Sequence, residues 1–140
     1  MRVQEVMQRQ LYTVEPGISL AEAARLMRSR NVGSLPVCRL GRLEGFLTDR
    51  DIVIRAIAGG CDPKETTVGE IMSKKPSCVH GDEEISRAAQ IMIEGKCRRL
   101  PVLDRNERLV GIVSVSDLIK DPEGATAAED ILREAASSVF

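Results

Sequence analysis

The chain has 140 residues, a formal net charge of −1 and 43% hydrophobic residues, but only 2% aromatic ones. This length fits one domain or two small ones, and the near-zero charge and scarce aromatics argue against a nucleic-acid binder. The single histidine argues against a His-rich metal site and a His-based catalytic triad. No apolar run reaches the ~18–20 residues of a membrane span, and no secretory leader is recognisable. We therefore expect a cytoplasmic protein that binds no metal, membrane or nucleic acid.

The sequence is an internal duplication. At an offset of 65 residues, and of 66 after one insertion, apolar, glycine and proline positions of the first half fall on similar residues of the second. Examples are Val3 on Val68, Met7 on Met72, Met27 on Met92, Leu35-Pro36-Val37 on Leu100-Pro101-Val102, Gly45 on Gly111 and Asp51 on Asp117. We divide the chain into repeat 1 (residues 1–64), repeat 2 (65–122) and a tail (123–140). A unit of ~60 residues is marginally stable alone, so we expect the two to pack together.

In repeat 1, the pattern predicts a strand over 12–14 and a helix that starts at the Ser19 capping box and ends near 31–33. A hairpin follows, with strands over 35–38 and 43–47 and a turn at Gly41-Arg42. A second helix is predicted over 49–58, ended by Gly59-Gly60. Each repeat is thus β-α-β-β-α, and the fold class is mixed α/β (α+β).

Repeat 2 repeats this order, with a strand over 78–79, a helix over 83–94, hairpin strands over 100–104 and 108–113, and a helix over 115–120. Short helices are predicted over 3–7 and 68–72. Asp121-Pro122 should end the last helix of the repeat. The tail should form a separate helix whose capping box is Thr126 with Glu129. His80 is predicted in a surface turn.

Two short segments combine a hydroxyl at a strand end with a carboxylate three residues later: Thr48 with Asp51, and Ser114 with Asp117. One interpretation is purely structural, because this spacing is that of a helix capping box. The other is a ligand site, since a helix start with a hydroxyl suits a phosphate and a carboxylate can accept two hydrogen bonds from a ribose diol. The preceding glycine, Gly45 or Gly111, allows another backbone to approach closely.

These segments resemble those of a CBS-domain pair, or Bateman module. The marker residues are 33–37 with 45–52, and 98–102 with 111–118, and the resemblance covers about residues 1–121. The chain is similar to stand-alone bacterial or archaeal members, with no catalytic domain attached. The resemblance implies a non-catalytic regulatory module that binds adenosine-containing ligands in clefts between the repeats and changes shape or partner affinity. AMP or ATP is the first expectation, with ADP, S-adenosylmethionine and NAD-type ligands as alternatives, and no cofactor is obligatory.

The resemblance also assigns roles to residues. It implies ribose binding by Asp51 and Asp117 and phosphate binding by Thr48 and Ser114. The adenine slots would be lined by Ser34, Leu35 and Pro36 and by Arg99, Leu100 and Pro101, and the cleft would be bordered by the backbones of Thr13, Val14, Cys78 and Val79. By analogy the chain is expected to form a homodimer, and any regulated protein partner is unknown.

Repeat 2 departs from repeat 1 where Gly33-Ser34 becomes Arg98-Arg99. These arginines are either a solvated pair or a phosphate contact. An alternative function is a ligand-independent interaction or redox protein that acts through its thiols or its tail. The four cysteines, at 38, 61, 78 and 97, form no Cys-x-x-Cys motif, and reduced thiols are the simplest interpretation. An enzyme is disfavoured because the chain has no phosphate-binding loop, metal constellation or nucleophile–histidine pair.

Overall fold

A computed structural model describes residues 1–137, and for Ser137 the backbone alone. Along the chain the elements are α1 (Val3–Val6), α2 (Leu20–Arg30), β1 (Ser34–Arg39), β2 (Arg42–Thr48), α3 (Asp49–Asp51), a π-helix (Ile52–Ile57), α4 (Val68–Ile71), β3 (Ser73–Lys74), β4 (Val79–His80), α5 (Ile85–Gly95), β5 (Arg99–Leu103), β6 (Leu109–Ser114), α6 (Val115–Leu118) and α7 (Pro122–Ser137). The mixed α/β class with two sets of the same elements is confirmed.

The chain divides into two compact units. The contiguous unit is Tyr12–Pro76, and the split unit joins Met1–Leu11 to the described residues from Ser77 onwards. Each unit has its own three-stranded sheet, with strand order β1-β2-β3 in the contiguous unit and β4-β5-β6 in the split unit.

In the contiguous unit, β1 and β2 form an antiparallel hairpin in which Ser34 faces Thr48 and Arg39 faces Arg42. The turn is Leu40-Gly41, one residue earlier than predicted, and both residues have positive φ, 53° and 77°. Two consecutive positive φ values match the twist that a two-residue hairpin loop needs. The predicted strand over 12–14 is a single parallel bridge from Val14 to Val37.

The third strand of each sheet shows how the repeats are connected. In the contiguous unit, Ser73 of β3 pairs with Phe46 of β2. In the split unit, the equivalent bridge runs from Gln8 to Ile112 of β6. Each hairpin is therefore flanked by a segment that belongs, in sequence, to the other repeat.

The short helices that precede these segments are exchanged in the same way. Val3 and Val6 of α1 are 0% and 2% exposed and lie in the apolar core of the split unit. Val68 and Ile71 of α4 are buried in the core of the contiguous unit. The repeats 1–64 and 65–122 and the two compact units are thus different divisions of the chain, because a segment of each repeat completes the other repeat's core.

Two glycines make this exchange sterically possible. A Cβ on Gly45 would collide with the Met72 side chain and lie 2.9 Å from the Ser73 carbonyl oxygen. A Cβ on Gly111 would lie 2.5 Å from Met7 Sδ and 2.9 Å from the Gln8 carbonyl oxygen. The predicted close backbone approach at these glycines is confirmed, and the approaching backbone is the exchanged segment of the chain itself.

Both cores are aliphatic, as the scarcity of aromatics requires. Leu35, Leu47 and Leu20 are fully buried in the contiguous unit, and Leu100 and Met92 in the split unit. The repeated apolar positions of the sequence therefore supply two similar cores.

Two helix predictions need correction. The predicted α-helix over 49–58 is one α-helical turn, α3, followed by a π-helix in which the Ala58 N–H bonds to the Val53 carbonyl. The tail helix α7 starts at Pro122, so the Thr126–Glu129 capping box is wrong. Proline is well tolerated at the first helical position, and Asp121 Oδ1 accepts a bond from the Glu123 N–H at 3.0 Å. In the part of the chain that is described, no helix has the length and apolar character needed to traverse a bilayer.

Candidate functional site

The Thr48–Asp51 segment joins the end of β2 to α3. Thr48 is extended, with φ −113° and ψ 159°, so its Oγ1 accepts a bond from the Asp51 N–H at 3.1 Å. In return the Thr48 N–H donates to Asp51 Oδ2 at 3.0 Å. The Asp49 N–H donates to the Gly33 carbonyl at 2.9 Å, which ties the segment to the residues before β1. The capping box is therefore present, and it fixes the direction of both side chains.

This capping box leaves hydrogen-bonding capacity on both residues. Asp51 Oδ1 lies 3.7 Å from Arg55 Nε, beyond hydrogen-bond length, and the Asp51 side chain is 15% exposed. Arg55 also donates to the Ile71 carbonyl at 3.1 Å, so its position is fixed by α4. Asp51 Oδ1 is thus ion-paired with Arg55 but not hydrogen-bonded to it, and a half-buried carboxylate oxygen in this state can accept hydrogen bonds from a neutral diol.

The Ser114–Asp117 segment has the same backbone arrangement at the end of β6. The Ser114 N–H donates to Asp117 Oδ2 at 2.8 Å, and Ser114 Oγ donates to the same oxygen at 3.0 Å. Two further groups, which the local sequence pattern does not predict, reach the other oxygen: Gln8 Nε2 donates to Asp117 Oδ1 at 2.9 Å and Lys120 Nζ donates to it at 3.2 Å. Asp117 is consequently one of the buried charged residues, with its side chain 4% exposed.

A signal for Gln8 and Lys120 existed in the repeat alignment. Gln8 corresponds to Ser73 and Lys120 to Ile54, so both are positions at which the repeats differ in chemistry. The distance between residues 8 and 117 along the chain hid the relation, because only the exchange of α1 brings them together.

The remaining predicted site residues divide by burial, and each set lies within one unit. Leu35, Pro36 and Val14 of the contiguous unit, and Leu100, Pro101 and Val79 of the split unit, have buried side chains. Thr13 and Arg99 are exposed, and Ser34 and Cys78 are half-buried. The exposed and half-buried residues can therefore contact a ligand through their side chains, whereas the buried residues can contact it through their backbones.

Arg98 and Arg99 are both exposed. Among residues 1–137, neither guanidinium forms an ion pair. They carry two positive charges immediately before and at the start of β5, the strand whose Arg99 pairs with Ser114.

His80 is not in a surface turn as predicted, but in β4, with its side chain 23% exposed. Its Nε2 lies 2.7 Å from Glu107 Oε1 and its Nδ1 lies 3.3 Å from Glu83 Oε1. The hydrogen bond to Glu107 is the main cause that raises the pKa of His80, and Glu83 acts in the same direction. Beside it, Arg105 forms a two-point ion pair with Asp82 at 2.8 and 2.6 Å.

The cysteines are free thiols in this structure. Burial is the main cause that raises the pKa values of Cys38, Cys78 and Cys97 above the ordinary value of a thiol. A raised pKa lowers the thiolate fraction near neutral pH and so lowers reactivity. Across the described residues there is no group of three or more His, Cys, Asp or Glu side chains arranged to hold a metal ion.

Comparison with known proteins gives consistent matches along the chain. The family model described as the CBS domain matches twice, at residues 3–57 and 68–124. The CBS domain-containing protein YhcV of Bacillus subtilis is 43% identical over 116 residues, which are 83% of this chain and 81% of that protein. Hypoxic response protein 1 of Mycobacterium tuberculosis is 41% identical over 109 residues, 76% of either chain.

Solved structures agree with this. Hypoxic Response Protein I, solved with two coordinated zinc ions, superposes with a TM-score of 0.80 at 36% identity, covering 86% of this chain and 98% of that one. The CBS domain pair of protein MJ0100, in complex with 5′-methylthioadenosine and S-adenosyl-L-methionine, superposes with a TM-score of 0.76 at 30% identity, covering 86% and 94%. With two family matches and relatives of this identity and coverage, the chain belongs to the CBS domain family and contains a tandem pair of CBS domains.

Proposed function

We propose that this CBS pair is a non-catalytic regulatory module that binds an adenosine-containing ligand, with AMP or ATP as the first candidates. The observation that carries the proposal is that the Thr48–Asp51 segment keeps a carboxylate oxygen and a hydroxyl proton that are not used in hydrogen bonds to described residues. Within residues 1–137, Asp51 Oδ1 has an ion pair with Arg55 at 3.7 Å but no hydrogen bond, and the Thr48 hydroxyl accepts from the Asp51 N–H without donating. Such a pair suits a ribose diol at Asp51 and a phosphate oxygen at Thr48.

The related structure of protein MJ0100 supports the ligand class. Its CBS domain pair is in complex with 5′-methylthioadenosine and S-adenosyl-L-methionine, both adenosine compounds, and it is 30% identical to this chain. We assign Thr13, Val14, Ser34, Leu35 and Pro36 to the same ligand as Asp51. The counterparts in the split unit are Cys78, Val79, Arg99, Leu100 and Pro101 with Ser114 and Asp117. The exposed guanidinium groups of Arg98 and Arg99 suit a phosphate there.

The test is a titration of the full chain, freed of co-purified nucleotide, with AMP, ATP, S-adenosylmethionine and 5′-methylthioadenosine. Isothermal calorimetry measures the Kd of each compound, and thermal unfolding measures the gain in stability. At 100 times its Kd, a ligand that binds the folded state alone should add about 2.7 kcal/mol to the free energy of unfolding. AMP should bind at least about tenfold more tightly than 2′-deoxy-AMP, because a carboxylate that accepts from both ribose hydroxyls loses a partner. No response to any adenosine compound would reject the proposal.

Asp51→Asn is the matched site variant, since it removes the charge and keeps the shape. It should weaken AMP binding by at least about tenfold, because an amide offers one acceptor oxygen where the carboxylate offers two. Asp62→Asn is the control, because Asp62 is exposed in the same unit and its side chain accepts, among the described residues, one bond from the Lys64 N–H. Equal loss in both variants would reject Asp51 as the ribose acceptor.

We propose further that the chain is a homodimer in the cytoplasm. A partner protein then binds the free and the ligand-bound forms with different affinity. The support is an exposed apolar surface of the contiguous unit, formed by Val53, Ile54 and Ile57 of the π-helix, which are 52–56% exposed. Exposed apolar clusters of this kind commonly mark protein–protein contacts. Sedimentation equilibrium of the wild type and of Ile54→Lys measures this, and a monomeric wild type would reject the homodimer.

A further inference from the structure

The two carboxylates of the duplicated motif differ in how much of their hydrogen-bonding capacity is used. Resting on the proposed function, we infer that Asp51 is the working ribose acceptor and that Gln8 and Lys120 hold Asp117 closed to ligands. Binding is then asymmetric: one adenosine ligand per chain, at the contiguous unit, with the second site released only when these two side chains are withdrawn.

The two carboxylates differ in how many hydrogen-bond donors they receive. An ionised carboxylate offers about four positions to donors. Asp117 receives four donors: the Ser114 N–H and Oγ at Oδ2, at 2.8 and 3.0 Å, and Gln8 Nε2 and Lys120 Nζ at Oδ1, at 2.9 and 3.2 Å. From the described residues Asp51 receives one hydrogen bond, from the Thr48 N–H at 3.0 Å, and one longer ion-pair contact, from Arg55 at 3.7 Å. A ribose diol can add two hydrogen bonds to Asp51, but must displace existing donors from Asp117.

The hydroxyl groups of the two motifs differ in the same direction. Ser114 Oγ donates to Asp117 Oδ2 and also lies 2.8 Å from Ser116 Oγ. Thr48 Oγ1 acts only as an acceptor, from the Asp51 N–H, within the described part of the chain. The Thr48 hydroxyl proton is therefore available to a ligand, whereas the Ser114 proton is already engaged.

Burial and the distance to the paired cation add to the difference, since Lys120 Nζ lies 3.2 Å from Asp117 Oδ1 and Arg55 Nε lies 3.7 Å from Asp51 Oδ1. The Asp117 side chain is 4% exposed, against 15% for Asp51. Lys120 places a cation on Asp117 Oδ1, and the same ammonium donates to the Val6 carbonyl of α1 at 3.2 Å. Removing this cation from a buried carboxylate is unfavourable unless a new donor replaces it, which a neutral diol does only in part.

The asymmetry is encoded at two positions of the repeat. Ser73 and Ile54 occupy the places in the contiguous unit that Gln8 and Lys120 occupy in the split unit. The Ile54 side chain has no hydrogen-bond donor, and Ile54 is 52% exposed. Ser73 pairs with Phe46 of β2, and no hydrogen bond joins it to Asp51 among the described residues. The difference is thus a property of this sequence and not of the shared motif.

The experiment counts AMP molecules per chain by calorimetry in the full-length protein. The wild type should bind one molecule, and Asp51→Asn should lower its affinity at least tenfold. The double variant Gln8→Met, Lys120→Met should bind two, and adding Asp117→Asn to it should remove the second. Lys64→Met is the control for loss of a surface lysine, and should bind one.

Two equivalent AMP molecules in the wild type, or one molecule lost on Asp117→Asn and kept on Asp51→Asn, would overturn the asymmetry while leaving the proposed function intact. One molecule per chain in the double variant would overturn the role of Gln8 and Lys120. If no variant binds AMP or any other adenosine compound, the proposed function fails, and the contacts of Asp117 are then tested without a ligand. The Gln8 side-chain amide should then exchange its hydrogens at least tenfold more slowly in the wild type than in Asp117→Asn, and equal rates would refute the contact.

Discussion

The Thr48–Asp51 and Ser114–Asp117 segments share a backbone arrangement but differ in what surrounds them. Both follow the last strand of a hairpin and both form a capping box. In the split unit, however, a glutamine from the exchanged N-terminal segment and a lysine after α6 converge on the carboxylate. A duplicated motif therefore does not ensure duplicated chemistry, because residues outside the motif decide whether its functional group is free.

The two units have similar aliphatic cores, and a matched pair of core variants tests whether these cores contribute equally to stability. Leu35→Ala and Leu100→Ala each remove a fully buried leucine from the same strand position of a hairpin. Each should lower the free energy of unfolding by about 2–5 kcal/mol, the usual cost of a buried leucine. Urea unfolding measures it, with Leu40→Ala at an exposed turn as control. Losses that differ by more than about 2 kcal/mol would mean that the cores are unequal.

The exchange of α1 and α4 between the repeats can be tested by two valine variants, each of which should destabilise the sheet of the other repeat. Val3→Ala should cost about 2 kcal/mol and act on the split unit, although Val3 belongs to repeat 1. Val68→Ala should do the same to the contiguous unit. Hydrogen exchange of the strand amides reports each sheet separately, and Val53→Ala is the exposed control. Faster exchange in β1 and β2 on Val3→Ala would contradict the exchange.

The carboxylates themselves should differ in their effect on stability without any ligand. Asp117→Ala removes a buried carboxylate and the hydrogen bonds that it accepts from Gln8 and Ser114, and should cost about 2 kcal/mol. Asp51→Ala loses mainly the capping box, and should cost about 1 kcal/mol. Thermal unfolding of both variants ranks them. A larger loss for Asp51→Ala would reverse our interpretation of which carboxylate is structural.

The smallest predicted difference is one of pH dependence. The pKa of His80 is raised above its ordinary value near 6.5, so its contribution to stability is full below that pH and is lost as the pH rises through the folded-state pKa. The contribution should stay below about 1 kcal/mol, because Glu107 is 56% exposed and the pair is screened by water.

Proton NMR of the single histidine measures this pKa directly. His80→Gln should flatten the stability profile above pH 6.5. Glu15→Gln is the matched control, since Glu15 is exposed at the corresponding place in repeat 1. A His80 pKa at or below 6.5 would show that the contacts with Glu83 and Glu107 do not persist in solution.

Much of each unit could be predicted from local sequence. The hairpins, the helix that starts at Ser19 and the aliphatic cores follow from residue patterns over a few positions. The same patterns occur in both repeats, so each assignment has two independent supports. The α7 start was missed because Pro122 was interpreted as a stop, although a proline also opens helices. The π-helix after Asp51 was missed because its wide hydrogen bonds have no sequence signature and are rare.

The candidate site was predictable in its motif and not in its environment. Thr48, Asp51, Ser114 and Asp117 are recognisable because the spacing is short and repeated. The contacts of Gln8 and Lys120 depend on which unit α1 joins, and a repeat alignment does not contain that information. His80 was misplaced for a similar reason, since its partner Glu107 lies 27 positions away on the β5–β6 turn.

The exchanged segments also have a consequence for biosynthesis. The contiguous unit is complete once residues 12–76 have left the ribosome, so it can fold during translation. The apolar side chains of Val3, Val6 and Met7 must wait, because the strands that bury them are made about 100 residues later. During that interval these three apolar side chains lack the core that buries them in the folded chain.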